Sequence, residues 1–113
     1  MEMSVQEVER GATLIVLSGR LDREAASAVE PRFNDLADSE KSLIVDLSGV
    51  SYIASMGMRM FLLTGKAIAA HGGKMALMAP SPDVAGVLKT AGIPTAIPVR
   101  ATLDDALAVF ARP

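Results

Sequence analysis

Ser55, His71 and Asp46 are the residue types of a nucleophile, a general base and an orienting acid. Their spacing works against that use. A helical apolar pattern runs from Ser55 toward His71, and at 1.5 Å per residue the two side chains lie about 24 Å apart. No hydrogen bond spans that gap, and no serine sits in a G-x-S-x-G elbow. His71, the only histidine, reads instead as a partner for carbonyls at a helix end. Asp22 and Asp46 resemble an acid pair for proton transfer, yet each has a local explanation. Asp22 is placed to cap a helix, and Asp46 to end a strand before a Ser48-Gly49 turn. Gly72-Gly73-Lys74 has the composition of a phosphate cradle, but it leads out of a helix and is followed by Met75. A phosphate loop runs the other way and ends in Ser or Thr, so these glycines read as a helix stop.

The stretch from Asp46 to Met60 offers a different chemistry, because it combines a strand end, a small-residue loop and a helix start. Ser55 falls where exposed backbone amides favour an anion. Phosphorylation there would add about −1.5 to −2 charges at little structural cost. A partner packed over that surface would meet a buried, poorly paired charge and be released. The alternative is that Ser55 is an N-cap alone, since serine is among the preferred caps.

The elements that must position this loop follow from periodicity. Met3 to Val8 and Thr13 to Ser18 read as strands joined at Glu9-Arg10-Gly11, an opening hairpin. Ser42 to Asp46 and Lys74 to Met78 are apolar runs without alternation, as expected of strands covered on both faces. Ala96 to Val99 is an edge candidate, because Pro98 cannot donate to a ladder. Helical spacing appears after Asp22 (Ala26, Val29, Phe33, Leu36), with Pro31 predicting a kink or a late start. It recurs from Ser55 (Met56, Met60, Leu63, Ala67), after Ser81-Pro82-Asp83 (Val84, Val87, Leu88) and from Thr102 to Phe110. Strands alternating with helices imply parallel pairing through right-handed crossovers.

Composition narrows the function further. The chain has 113 residues, 50% of them hydrophobic, so residues 1–113 read as one domain with a core of its own. Eleven Lys+Arg against 13 Asp+Glu gives a net charge of −2, which supplies no basic footprint for direct nucleic-acid binding. Zero cysteines and one histidine leave few metal arrangements, and no cofactor is expected. The acidic start is unlike a signal peptide, and Arg59 and Lys66 interrupt the most apolar tract. A cytoplasmic protein without membrane insertion is expected. Only 4% of residues are aromatic while 7 are methionine, a soft apolar surface suited to a protein partner.

Three motifs resemble the STAS family, the domain of sulfate transporters and bacterial anti-sigma factor antagonists, and together they cover nearly the whole chain. Gly19-Arg20-Leu21-Asp22 with Ala26, Val29 and Phe33 resembles the G-x-L-D strand end and first helix. Asp46-Leu47-Ser48-Gly49-Val50-Ser51-Tyr52-Ile53 resembles the D-L-S-x-V-x-x-I stretch, and Ala79 to Gly92 resembles the segment after the fourth strand. The resemblance implies an α/β fold: a mixed sheet with an antiparallel opening hairpin, then parallel strands, and helices mainly on one face. It also implies a binding module with no catalytic site. In bacterial members the loop reads D-S-S/T-G-L/M-G, and the serine after the aspartate is phosphorylated by the anti-sigma factor kinase. Here Ser55 falls on that acceptor and Gly57 on the glycine that allows close approach. Ala54, Met56 and Arg59 depart from the pattern.

The implied partner is a serine-kinase anti-sigma factor. The implied contact surface comprises Asp22, Ser51, Tyr52, Ala54, Ser55, Met56, Gly57, Met58 and Arg59. Ala54 removes a negative neighbour, which eases phosphate addition but also deletes a possible kinase contact. Arg59, at i+4 from Ser55, either pairs with a phosphate or obstructs a kinase that expects glycine. A non-switching subunit of a lipid-transport ATPase or other signalling assembly is the second expectation. Nucleotide binding has family precedent, but no phosphate-binding loop supports it here.

Overall fold

Apolar runs without polar alternation become strands with both faces covered, and their alternating side chains divide the core into two layers. The computed structural model describes residues 1–110. Its elements are β1 (Glu2–Glu7), β2 (Thr13–Leu21), α1 (Arg23–Ser39), β3 (Ser42–Ile53), α2 (Ser55–Ala69) and β4 (Lys74–Met78), then α3 (Pro82–Thr90), α4 (Ile93–Ala96), β5 (Val99–Arg100) and α5 (Leu103–Ala108). The strands form one sheet in the order β1-β2-β3-β4-β5, with β1 antiparallel to β2 and every other pair parallel. This is the mixed sheet and opening hairpin that the sequence predicts.

Ile15, Leu17, Leu43, Val45, Leu47, Met75 and Leu77 join the larger core with residues of α1 to α4. Leu14, Ile44 and Ala76, one residue out of phase, point to the other face and pack with Ala106 and Leu107 of α5. Helices therefore lie mainly on one face, with α5 alone across the sheet. Phe33 of α1 and Phe61 of α2 are fully buried, with ring centroids 5.9 Å apart and planes tilted by 51°. Such a pair adds about 0.5–1.5 kcal/mol beyond area burial.

Several expectations from sequence are corrected. The Ser48-Gly49 turn does not form, since β3 runs on to Ile53 and pairs Gly49 with Ser18 and Val50 with Gly19. The ladder absorbs the turn residues through register shifts between Val16 and Ser18 and between Gly19 and Arg20. Ala96 to Val99 is not a strand: Pro94 opens the short α4 after the left-handed Gly92, and β5 is confined to Val99–Arg100. The buried stripe of α2 is Gly57, Met60, Phe61, Thr64 and Ile68, while Leu63 and Ala67 face outward. That helix is apolar nearly all round, so periodicity alone could not orient it. Val87 likewise lies outside the buried stripe of α3, at 41% exposure, because only Val84 and Leu88 face the sheet.

Pro31 neither delays nor ends α1, which is continuous from Arg23 to Ser39. Pro31 and Ser27 both lie on the solvent face, so water can satisfy the carbonyl that proline leaves without an amide. Asp22 still starts the helix as expected, accepting from the Ala25 amide at 2.9 Å. A helix-interior proline costs about 3 kcal/mol, less up to about 1 for the unfolded-state entropy it removes. Pro31→Ala is therefore expected to raise stability by about 2 kcal/mol in urea unfolding. An unchanged midpoint would show that α1 accommodates the ring without cost.

Candidate functional site

Parallel pairing of β2 with β3 ends at Leu21 and Ile53, and one further bond carries the ladder past its end. The Ala54 amide donates to the Leu21 carbonyl at 2.9 Å, and the Ala54 carbonyl then accepts from Gly57 and Met58 at 3.0 and 3.2 Å. Ala54 thus closes the sheet and opens α2. It is the N-cap of that helix and has no side-chain acceptor to offer the first-turn amides. The capping role expected of Ser55 is corrected accordingly. Ser55 is the first helical residue and is exposed.

Gly57 faces inward. A Cβ at this position would lie 2.9 Å from Cγ and Cδ2 of Leu21 and 3.2 Å from Cγ1 of Ile53. The glycine therefore lets the first turn of α2 sit directly on the last residues of β2 and β3. Because it is buried, it supports the rim from beneath and is not itself on the surface. Met56 and Met58 are half-buried and pack against the larger core, leaving part of each side chain at the rim.

The remaining rim residues come from the same end of the sheet. Asp22 is half-buried at the start of α1, and Ser51, Tyr52 and Arg59 are exposed. Register sets Arg20 opposite Tyr52, and the Arg20 guanidinium carbon stands 4.4 Å from the Tyr52 ring centroid. This cation–π pair, of order 0.5–1 kcal/mol at an exposed site, was missed in the sequence. It depends on a register that turn signals at Ser48-Gly49 concealed. A groove beside the rim is lined by Met58, Asp83, Gly86 and Val87, joining the start of α2 to α3.

The other sequence candidates are not brought to this rim. Asp46 lies within the sheet between Val16 and Met78, and its Oδ1 accepts from the Ser48 amide at 2.9 Å. His71 follows α2 at the opposite end of the sheet, where its Nε2 meets the Ala37 carbonyl at the end of α1. Ser55, Asp46 and His71 therefore form no triad. Gly72 has φ +87° and Gly73 donates to the Ile68 carbonyl, which makes the glycine pair a helix stop. Among the described residues no group of three or more His, Cys, Asp or Glu side chains is placed to hold a metal ion. No helix among them is long and apolar enough to cross a membrane.

The chain and its fold match those of known proteins. The STAS domain family matches residues 3–106. The chain belongs to the STAS domain family. BtrV of Bordetella bronchiseptica, named as a candidate anti-sigma factor antagonist, is 26% identical over 111 residues, covering 97% of this chain and 95% of that protein. An anti-sigma factor antagonist from Mycobacterium paratuberculosis is 28% identical with a TM-score of 0.85, covering 96% of this chain and 92% of that one. The anti-sigma factor antagonist SpoIIAA shares the fold in its unphosphorylated form, with a TM-score of 0.80 at 23% identity and coverage of 96% and 95%. The Bacillus protein in its phosphorylated form superposes with a TM-score of 0.73 at 21% identity, covering 97% and 100%.

Gly57→Val tests whether the glycine serves internal packing. Overpacking against Leu21 and Ile53 is expected to cost about 2–3 kcal/mol of unfolding free energy, read from denaturant melts. Full stability would mean that α2 starts clear of the sheet and that the rim lacks this support.

Proposed function

We propose that the protein is an anti-sigma factor antagonist that binds a serine-kinase anti-sigma factor through the rim around Ser55, thereby freeing a sigma factor. It acts as a cytoplasmic binding module and not as an enzyme. The observation that carries the reading is the placement of Ser55. It is exposed at the first position of α2, at the carboxyl end of the longest ladder, where parallel sheets present their sites. Family membership and relatives named as anti-sigma factor antagonists support the same partner class.

In this reading Asp22, Ser51, Tyr52, Ala54, Met56, Met58 and Arg59 surround the acceptor and meet the partner, with Gly57 beneath them. Met56 and Met58 supply adaptable apolar contact, and Arg59 supplies a charge. The kinase brings a nucleoside triphosphate. Its γ-phosphoryl group passes to Ser55 Oγ, the hydroxyl proton is lost and the nucleoside diphosphate leaves. A group carrying about −1.5 to −2 charges then stands where the partner packed, and the complex dissociates because that charge would be desolvated beneath the partner.

Affinity capture with the tagged wild-type protein and Ser55→Asp, with mass spectrometric identification and calorimetry on the recovered partner, tests the switch. Wild type is expected to retain a kinase-type anti-sigma factor, and Ser55→Asp to bind it at least about tenfold more weakly, the loss of 1.4 kcal/mol or more. Equal binding of the same partner, transporter subunits in particular, would overturn switching and make the domain a constitutive subunit.

A further inference from the structure

Arg59 meets the partner in the unphosphorylated state, and its position gives it a second role once Ser55 is phosphorylated. It stands one helical turn after Ser55 on the outer face of α2, and both residues are exposed. No acidic residue occurs in the first turn of α2, and the helix carries only two charges, Arg59 and Lys66. Side chains of a helix lean toward its N-terminus, so the Arg59 stem is directed back toward Ser55. Residues at i and i+4 have Cβ atoms about 5–6 Å apart, and the favourable order places the anion before the cation.

We propose that Arg59 holds the phosphate of phosphorylated Ser55 within the same chain, as a phosphoserine clamp. The proposal rests on Ser55 being the acceptor, and it assigns Arg59 a role in regulation that follows phosphorylation. A guanidinium presents a donor fork matched to phosphate oxygens, whereas lysine offers a point charge. Asp22, the N-cap of α1, is another anion at this end of the sheet, and its Oδ1 accepts from the Ala25 amide. Arg20 of β2 is held over the Tyr52 ring of β3, and Asp83 of α3 faces the groove beside Met58. The first turn of α1 adds Arg23 and Glu24, both exposed, and the last turn of α3 adds Lys89. The clamp neutralises part of the phosphate charge and ties it to the helix, so phosphorylation leaves α2 intact and release of the partner needs no unfolding of the loop.

The test uses the full chain with phosphoserine installed genetically at position 55, so no kinase is required. Phosphorus NMR titration reads the second phosphate ionisation, ordinarily near pH 6. The dianion is favoured by an adjacent cation, so ionisation is expected about 0.3 of a pH unit lower in the wild-type background than with Arg59→Gln, with Arg59→Lys between them. Phosphorylated wild type is also expected to melt higher than phosphorylated Arg59→Gln, while the two unphosphorylated proteins melt together. Equal titration in all three backgrounds would overturn the clamp. Absence of Ser55 phosphorylation in the cell, with the NMR shift present, would instead count against the proposed switch and leave the clamp standing.

Discussion

The bond from the Ala54 amide to the Leu21 carbonyl is the join on which the functional end of the molecule depends. It extends the β2–β3 ladder by one step and fixes where α2 begins. Everything placed at the rim follows from that starting point: Ser55 at the first helical position, Gly57 one face round against Leu21 and Ile53, and Arg59 one turn later. Had the helix begun one residue earlier, rotation by about 100° would have turned different side chains of that first turn toward the sheet. Hydrogen bonding at the end of a sheet thus selects which side chain is presented to a partner.

Sheet burial makes that join rigid. Leu43, Val45 and Leu47 are fully buried on the side of α1 and α2, while Ile44 is fully buried against α5. Slipping β3 by one residue would send each set to the opposite face. The register shifts near Val16 and Gly19 fall toward the end of the strands, where Ser18, Ser48 and Gly49 are exposed while Leu17 and Leu47 stay fully buried. Those same shifts bring Arg20 opposite Tyr52.

Much of this was legible in the sequence, and the failures share a cause. Asp22, Ser81 and Thr102 cap their helices through their own side chains, a signal that needs no knowledge of neighbours. The strand cores at Thr13, Ser42 and Lys74 likewise announce themselves by unbroken apolar runs. Ser48-Gly49 reads locally as a turn and yet forms part of β3, because pairing with β2 outweighs a weak local preference. Ser55 reads as a cap for the same reason. Its side chain is suited to the role, but the backbone of Ala54 had already been claimed by Leu21.

A rim built this way separates stability from recognition, which is what a switching surface requires. Gly57, Met60 and Phe61 anchor α2 from below, whereas Ser55 and Arg59 take no part in the buried stripe. A phosphate added at Ser55 therefore meets solvent in the free protein and displaces no core atom. In a complex the same group is covered, and burying a dianion without a paired cation costs several kcal/mol. The difference between those two environments is the free energy available for switching. An intramolecular cation at Arg59 would act on both sides of that balance, stabilising the phosphorylated free chain while lowering the charge a partner must exclude. In the proposed switch, the residue at the fourth position after Ser55 would set how sharply the surface changes from adhesive to repellent, and a glycine there would leave the full charge exposed.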